Sequence, residues 1–239
     1  IISWLKMLIQ LRLEKISMTV NLSHSVEKHA IFAALIINAP YNATPYKDGR
    51  YGVSGEELTL YNIMPPQAPQ KYDRPIAEMF LDVARLLNCN LSNTIPYPLQ
   101  SSLHPIIDSP YILVNRRGSR KEMALEDHDI IRIADLVSQK APWLSLVIKP
   151  TEPEITEIQK SNVSKHENIT ILDPEADFSP IINLVRHAEL VITPDTSVVH
   201  VASAFSTQLI AVYSGNKKQY AQWRPLHNGF FHVIFSSQC

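Results

Sequence analysis

The sequence predicts an α/β protein built on parallel sheets, and three observations predict it. Short apolar runs alternate with stretches of helical spacing, most regularly after residue 110. Single helical stretches separate successive strand-like runs, the pattern of parallel strands joined by right-handed crossovers. The segment from Glu189 to Phe205 reads strand, polar turn, helix. Its run Leu190 to Ile192 has the length of a buried strand, and Thr193-Pro194-Asp195-Thr196-Ser197 breaks the run. Val198, Val199, Val201, Ala202 and Phe205 then recur at roughly helical spacing.

Taken in order, Trp4, Leu5, Leu8 and Ile9 predict a helix to about Glu14, Ile16 to Leu22 a strand, and Val26 to Ile37 a second helix. Ala30 to Ile37 is the longest apolar run and reads as a buried helix. Between residues 38 and 70, Gly49, Gly52, Gly55 and five prolines predict loops, with a short hairpin around Tyr51 to Val53. Asp73 begins the next helix, with Pro75 in its first turn, where a missing N–H does no harm. Ile76, Met79, Phe80, Val83, Leu86 and Leu87 form its apolar stripe. The proline-bearing stretch 89–110 reads as a linker between two domains, residues 1–88 and 111–239. After it come a strand at Tyr111 to Asn115, a basic loop, and a helix from Glu126 to Gln139. A strand at Leu144 to Ile148, a helix at Glu152 to Lys160, a strand at Thr170 to Leu172 and a helix at Pro180 to His187 follow. Beyond the Glu189–Phe205 unit, Leu209 to Tyr213 closes the series as a last strand.

Composition narrows the function. The chain of 239 residues is 45% hydrophobic and 19% charged with formal net charge −1, so it is globular and offers no electrostatic case for nucleic acid. Two cysteines, Cys89 and Cys239, make neither a disulfide framework nor a metal site, and point to a reducing compartment. No stretch reaches the roughly 18 apolar residues that span a bilayer. Ile1 to Leu13, interrupted by Lys6 and Arg12, suits an amphipathic helix better than a signal peptide. The chain begins with Ile rather than Met, as a fragment of a longer reading frame does.

In open parallel sheets ligands lie outside the carboxyl ends of the strands. Two predicted loops fall there. The turn before Val198 offers Asp195, Thr196 and Ser197 as helix caps, with His200 one turn inside the helix, and free N–H groups at such a helix start suit a phosphate. The same pattern also describes an ordinary capped helix with a half-buried histidine. Asp195 either caps or accepts hydrogen bonds from ligand hydroxyls. The other loop carries Arg116, Arg117, Arg120 and Lys121: a clamp for a diphosphate, or a solvated surface loop. Glu152, Glu154 and Glu157 lie at helical spacing and read as a solvated face, with one of the first two in reach of the crevice. No Gly-x-Ser-x-Gly, Gly-x-Gly-x-x-Gly, Walker or His-Glu-x-x-His motif is present.

Asp195-Thr196-Ser197-x-x-His200-x-Ala202-x-Ala204, after Leu190-Val-Ile-Thr193, resembles the signature of glycosyltransferase family 9, the bacterial lipopolysaccharide heptosyltransferases and their relatives. Asn115-x-x-Gly118-Ser119-Arg120-Lys121 resembles that family's second loop, and Trp223-x-Pro225 its segment after the last strand. The resemblance covers about Tyr111 to Pro225. It implies a GT-B-like architecture of two Rossmann-like domains with parallel sheets, the amino-terminal one incomplete. Residues 1–88 are then a partial acceptor-side domain and 111–239 the nucleotide-sugar-binding domain.

The implied reaction transfers a sugar, heptose from ADP-heptose, to a lipopolysaccharide core acceptor, with no cofactor and no metal. It places the protein in the cytoplasm, with peripheral association at the inner membrane. The implied donor-binding residues are Ser119, Arg120, Lys121, Asp195, Thr196, Ser197 and His200. The family's catalytic base, an aspartate of its first loop, has no counterpart and is expected upstream of Ile1. Two further departures are Ser197, where many relatives carry Gly, and Arg116, where they usually carry Pro. The alternatives are a nucleotide-sugar-binding chain without catalysis and another GT-B-like enzyme such as a sugar-nucleotide epimerase.

Overall fold

The computed structural model describes residues 2–23, 25–47, 51–53, 58–66, 74–90, 104–118, 124–174 and 179–236. The chain divides into two compact units, Ile1–Thr94 with Ala221–Trp223, and Ile95–Tyr220 with Arg224–Cys239.

The first unit contains α1 (Ile2–Leu13), β1 (Met18–Val20), α2 (Lys28–Ile37), β2 (Tyr41–Ala43) and α3 (Ile76–Leu86). β1 and β2 are parallel, with Met18 opposite Tyr41 and Val20 opposite Ala43, as expected of strands joined through a single helix. Trp4 of α1 stacks on Phe32 of α2 at 5.9 Å. α2 ends where Asn38 turns left-handed (φ 54°) and returns its N–H to the Ala34 carbonyl, which a short polar side chain tolerates best.

Two expectations are corrected here. α2 is not a buried helix: Ala34 alone is buried, and Phe32 and Leu35 are 49% and 56% exposed. A helix apolar on every side buries only the faces its neighbours meet. β2 lies in a stretch expected to be loop; pairing with β1 makes it a strand although its centre is Asn42, whose amide bonds the Ala39 carbonyl. Tyr51 and Gly52 form a turn with positive φ, and the arms of the expected hairpin fall outside the described residues. α3 follows its stripe, with Ile76, Met79 and Val83 buried and Arg74 holding Glu78 and Asp82 on the opposite side.

The second unit is one six-stranded sheet: β3 (Tyr111–Val114), β4 (Ser145–Ile148), β5 (Ile169–Ile171), β6 (Leu190–Pro194), β7 (Leu209–Tyr213) and β8 (Phe231–Phe235). All neighbours are parallel, in the order β5-β4-β3-β6-β7-β8. α4 (Asp127–Lys140) and α5 (Glu152–Lys160) pack on one face against Ile112, Val114, Leu146, Ile148 and Ile192. α6 (Ser179–His187) and α7 (Ser197–Phe205) pack on the other against Tyr111, Leu113, Val147 and Val191. β3 is therefore buried on both faces, which is why it reads as an uninterrupted apolar run.

The series does not close at β7. α8 (Lys217–Trp223), capped by the Asn216 side chain on the Gln219 N–H, leads to β8, an edge strand that pairs with β7 along its length. Three of its five residues are exposed, and His232 interrupts an otherwise apolar strand that ends in Val233-Ile234-Phe235. Residues 91–103 of the expected linker lie outside the described residues; buried Asn183 holds its carboxyl end through the His104 carbonyl and the Ile106 N–H.

Candidate functional site

β3 and β6 are neighbours in the sheet, yet the chain leaves β3 toward β4 on one side and reaches β7 from β6 on the other. The loops that follow these two strands therefore diverge and open a crevice at their carboxyl ends, the topological switch point of a doubly wound sheet. The two candidate loops flank this point. Asn115, directly after β3, takes a backbone bond from its own N–H to the Ile192 carbonyl at 2.9 Å. Its side-chain amide reaches Thr193 Oγ1 at 2.9 Å and Thr196 Oγ1 at 3.1 Å. Gly118 lies so close to the same turn that a Cβ there would stand 3.1 Å from Thr196 Cγ2 and 3.5 Å from the Asp195 carbonyl oxygen.

Of the three expected caps, Thr196 is the one used. Its backbone is extended, and its Oγ1 accepts the Val198 N–H at 3.2 Å. The Asp195 N–H is committed to the Val212 carbonyl at 3.0 Å and the Val199 N–H to the Thr196 carbonyl at 3.1 Å. Among the described residues the N–H groups of Thr196 and Ser197 make no hydrogen bond, and Ser197 is exposed. Two open donors at the start of α7, at the positive end of its dipole, form a seat for an anion. Asp195 Oδ2 lies 3.5 Å from Gln219 Nε2. Burial first, and the Asp195 carboxylate second, push the Tyr213 hydroxyl well above the usual phenol range. His200 is half-buried, and desolvation lowers its pKa.

The basic loop divides. Ser119, Arg120 and Lys121 lie outside the described residues. Arg116 and Arg117 are not a diphosphate clamp. Arg116 is buried and donates to Asp127 at 2.6 Å, while Arg117 is paired with Glu157. Carboxylates of α4 and α5 reach these guanidinium groups, so neither side chain stands as the free cation that a diphosphate clamp requires. Nor do the three glutamates form one solvated face. Glu154 is buried and closes a capping box on Thr151, accepting its N–H at 2.8 Å and its hydroxyl at 2.6 Å. Asn115 heads the loop motif seen in the sequence, but its role as the bridge between the loops was not legible there, because Thr193 and Thr196 lie 78 and 81 residues away. Among the described residues no group of three His, Cys, Asp or Glu could hold a metal, and no helix is long and apolar enough to cross a membrane.

Two histidines of this unit give a pH-dependent stability. Desolvation lowers the pKa of His200 and also of His227, which stands 3.1 Å from Ser203 Oγ on α7; for His227 a backbone hydrogen bond to Phe230 partly opposes the shift. The folded state keeps both rings neutral, whereas the unfolded chain protonates them near 6.5. Their stabilisation is thus complete above pH 6.5 and is lost as pH falls below it toward the folded values. Melting temperature is expected to fall between pH 7 and pH 5, and His227→Gln to flatten that slope. An unchanged slope would remove His227 from the account.

A smaller parallel α/β unit and a doubly wound sheet with an open helix start at its switch point define the class, a GT-B-type α/β protein. The profile of glycosyltransferase family 9 (heptosyltransferase) matches residues 98–239. The chain belongs to that family and is a glycosyltransferase. Among solved structures it is similar to E. coli heptosyltransferase WaaC with ADP, at 13% identity and a TM-score of 0.67, covering 98% of this chain and 71% of that one. The family 9 glycosyl transferase of Veillonella parvula matches at 14% identity and a TM-score of 0.68, covering 96% of this chain and 66% of that one. E. coli ADP-heptose lps heptosyltransferase II matches at 15% and 0.63, covering 96% and 71%. These likenesses are of fold. No curated protein sequence matches the chain significantly.

Proposed function

We propose that the crevice at the carboxyl ends of β3 and β6 binds a nucleotide-sugar donor, an ADP-sugar carrying heptose, whose sugar is transferred to a lipopolysaccharide core acceptor. The open N–H groups of Thr196 and Ser197, at a helix start on the switch point, carry this reading. They suit the diphosphate, whose negative charge grows on the leaving group as the glycosidic bond breaks. Ser197 carries a side chain beside them, and its exposure leaves the backbone accessible. Asp195 is the acceptor for sugar or ribose hydroxyls, because a carboxylate beside phosphate gains nothing from it. His200, neutral through burial, orients the donor, and Lys121 offsets phosphate charge, with Ser119 and Arg120 as further donor-binding residues. A base must take the acceptor hydroxyl's proton; none of these residues is assigned that step.

The solved relatives support the donor class: WaaC is described with ADP and with ADP-2-deoxy-2-fluoro heptose. Residues 111–239 are accordingly the donor-binding part and residues 1–88 acceptor-side. The acceptor class places the reaction at the cytoplasmic face of the inner membrane, with peripheral association.

Calorimetric titration with ADP, UDP and GDP tests the reading. ADP is expected to bind saturably and in preference to the other two. Lys121→Ala should weaken it about tenfold or more, the worth of one charge-assisted contact to phosphate. Asp195→Ala should weaken an ADP-sugar more than ADP itself. A folded chain that binds none of the three nucleotides would sink the assignment.

A further inference from the structure

Arg116 follows Asn115 at the switch point and is only 7% exposed. Its Nη2 donates to Asp127 Oδ1 at 2.6 Å, in the first turn of α4, and its carbonyl accepts the Leu125 N–H at 2.8 Å. One residue thus ties both the side chain and the backbone at the base of the loop that leaves β3. Its Nη1 stands 3.7 Å from Glu157 Oε2. Arg117 donates to the same Glu157 oxygen, and its Nε lies 4.0 Å from Glu154 Oε1. Among the described residues two cations therefore face three carboxylates, so both guanidinium groups are spent within the cluster.

Stability does not explain the arrangement either. Among the described residues Arg116 Nε and Nη1 and Glu154 Oε1 are buried without a hydrogen-bond partner. A buried, under-satisfied ion pair is commonly no better for stability than well-packed apolar side chains. Its effect is geometric. Its Nη2 is held by Asp127 and its carbonyl by the Leu125 N–H, so a shift of the backbone at residue 116 works against both bonds. On either side of it Asn115 bonds Thr193 and Thr196, and Gly118 packs on Thr196 and Asp195.

We propose that Arg116 is a positioning residue of the donor site, locking Asn115–Gly118 against the Pro194–Thr196 turn through its ion pair with Asp127. The proposal rests on the donor-site assignment above. Arg116 touches no donor atom; it acts through Asn115 and Thr196, which hold the open N–H groups in place.

The test is ADP affinity by calorimetry, well below the melting temperature, for the parent chain, Arg116→Ala, Asp127→Ala and the double variant. Each single variant is expected to raise Kd about tenfold, and the double no further, because either change breaks the same pair. Arg116→Lys, which keeps a charge facing Asp127, should stay within about threefold of the parent. Asp135→Ala is the control on the same helix; it removes the 3.1 Å contact with His166 and should leave Kd unchanged. Asp127→Asn keeps the shape of the site and serves if Arg116→Ala does not fold.

An Arg116→Ala chain that melts lower but binds ADP like the parent overturns the positioning role and leaves a structural ion pair. A double variant weakened about a hundredfold overturns the pair as the cause. Failure of the folded parent to bind ADP overturns the donor-site assignment itself, and the positioning role with it.

Discussion

Replacing Gly118 by valine is expected to abolish measurable ADP binding while leaving the chain folded. Even one added carbon at this position would stand 3.1 Å from Thr196 Cγ2, 3.5 Å from the Asp195 carbonyl oxygen and 3.8 Å from Pro194 Cβ. Thr196 cannot rotate away freely. Its Oγ1 is held by the Asn115 amide and in turn holds the Val198 N–H, so rotation removes both the loop-to-loop bond and the helix cap. A lost cap costs about 1 kcal/mol, a lost hydrogen bond about the same, and overpacking roughly 1–3 kcal/mol. Together they amount to roughly 3–5 kcal/mol at the anion seat, or about two to three and a half decades in Kd. Gly118→Ala should show a weaker form of the effect. Adding Thr196→Ser, which removes the methyl group but keeps the hydroxyl, should restore binding. Calorimetry with ADP beside a thermal melt checks both, and a Gly118→Val chain that binds like the parent would separate this contact from the donor site.

Leu113→Ala is expected to cost the chain the most stability. Leu113 lies in β3, paired on both sides by β4 and β6, and is fully buried among residues of α6, α7 and the sheet. No neighbour there can collapse into the space without moving a strand, so the loss falls near the middle of the 2–5 kcal/mol range for such truncations, about 3 kcal/mol. At roughly 2–4 °C per kcal/mol for a chain of this size, the melting temperature drops by about 10 °C. Leu136→Ala on the half-exposed face of α4 should stay within about 0.5 kcal/mol of the parent. Circular-dichroism melts of the two variants compare them directly. Equal melting temperatures would contradict a core centred on β3.

Much of the second unit was legible because its inner strands β3, β4 and β6 are buried nearly throughout and so read as apolar runs. β7 at Leu209–Tyr213 was read to the residue because all five of its residues are apolar, although Ile210 and Val212 are only partly buried. β2 and β8 escaped the same reading for different reasons. Asn42 sits at the centre of β2, so pairing rather than composition makes it a strand. β8 is apolar but for His232 and lies at the sheet edge beyond β7, where the series was expected to close. In the site, the strand, turn and helix around Asp195 were legible, since a polar break between two apolar periodicities has few other meanings. The fate of Arg116 and Arg117 was not. Their partners Asp127, Glu154 and Glu157 come from two later helices, and only the crossovers bring them together.

The sequence by itself determined the class of fold, the order of its main elements and the family, because periodicity and motif are local properties of the chain. The tertiary structure alone decided which strand stands beside which and where the sheet reverses. It also decided which charges are spent on one another. Asn115 meets Thr196 across 81 residues, and Arg117 meets Glu157 across 40. A side chain's alternatives at such distances are set by the packing of whole helices on the sheet. The physical reason is that hydrogen bonds and ion pairs are short-ranged and weak against water, so they form where burial has already placed their partners.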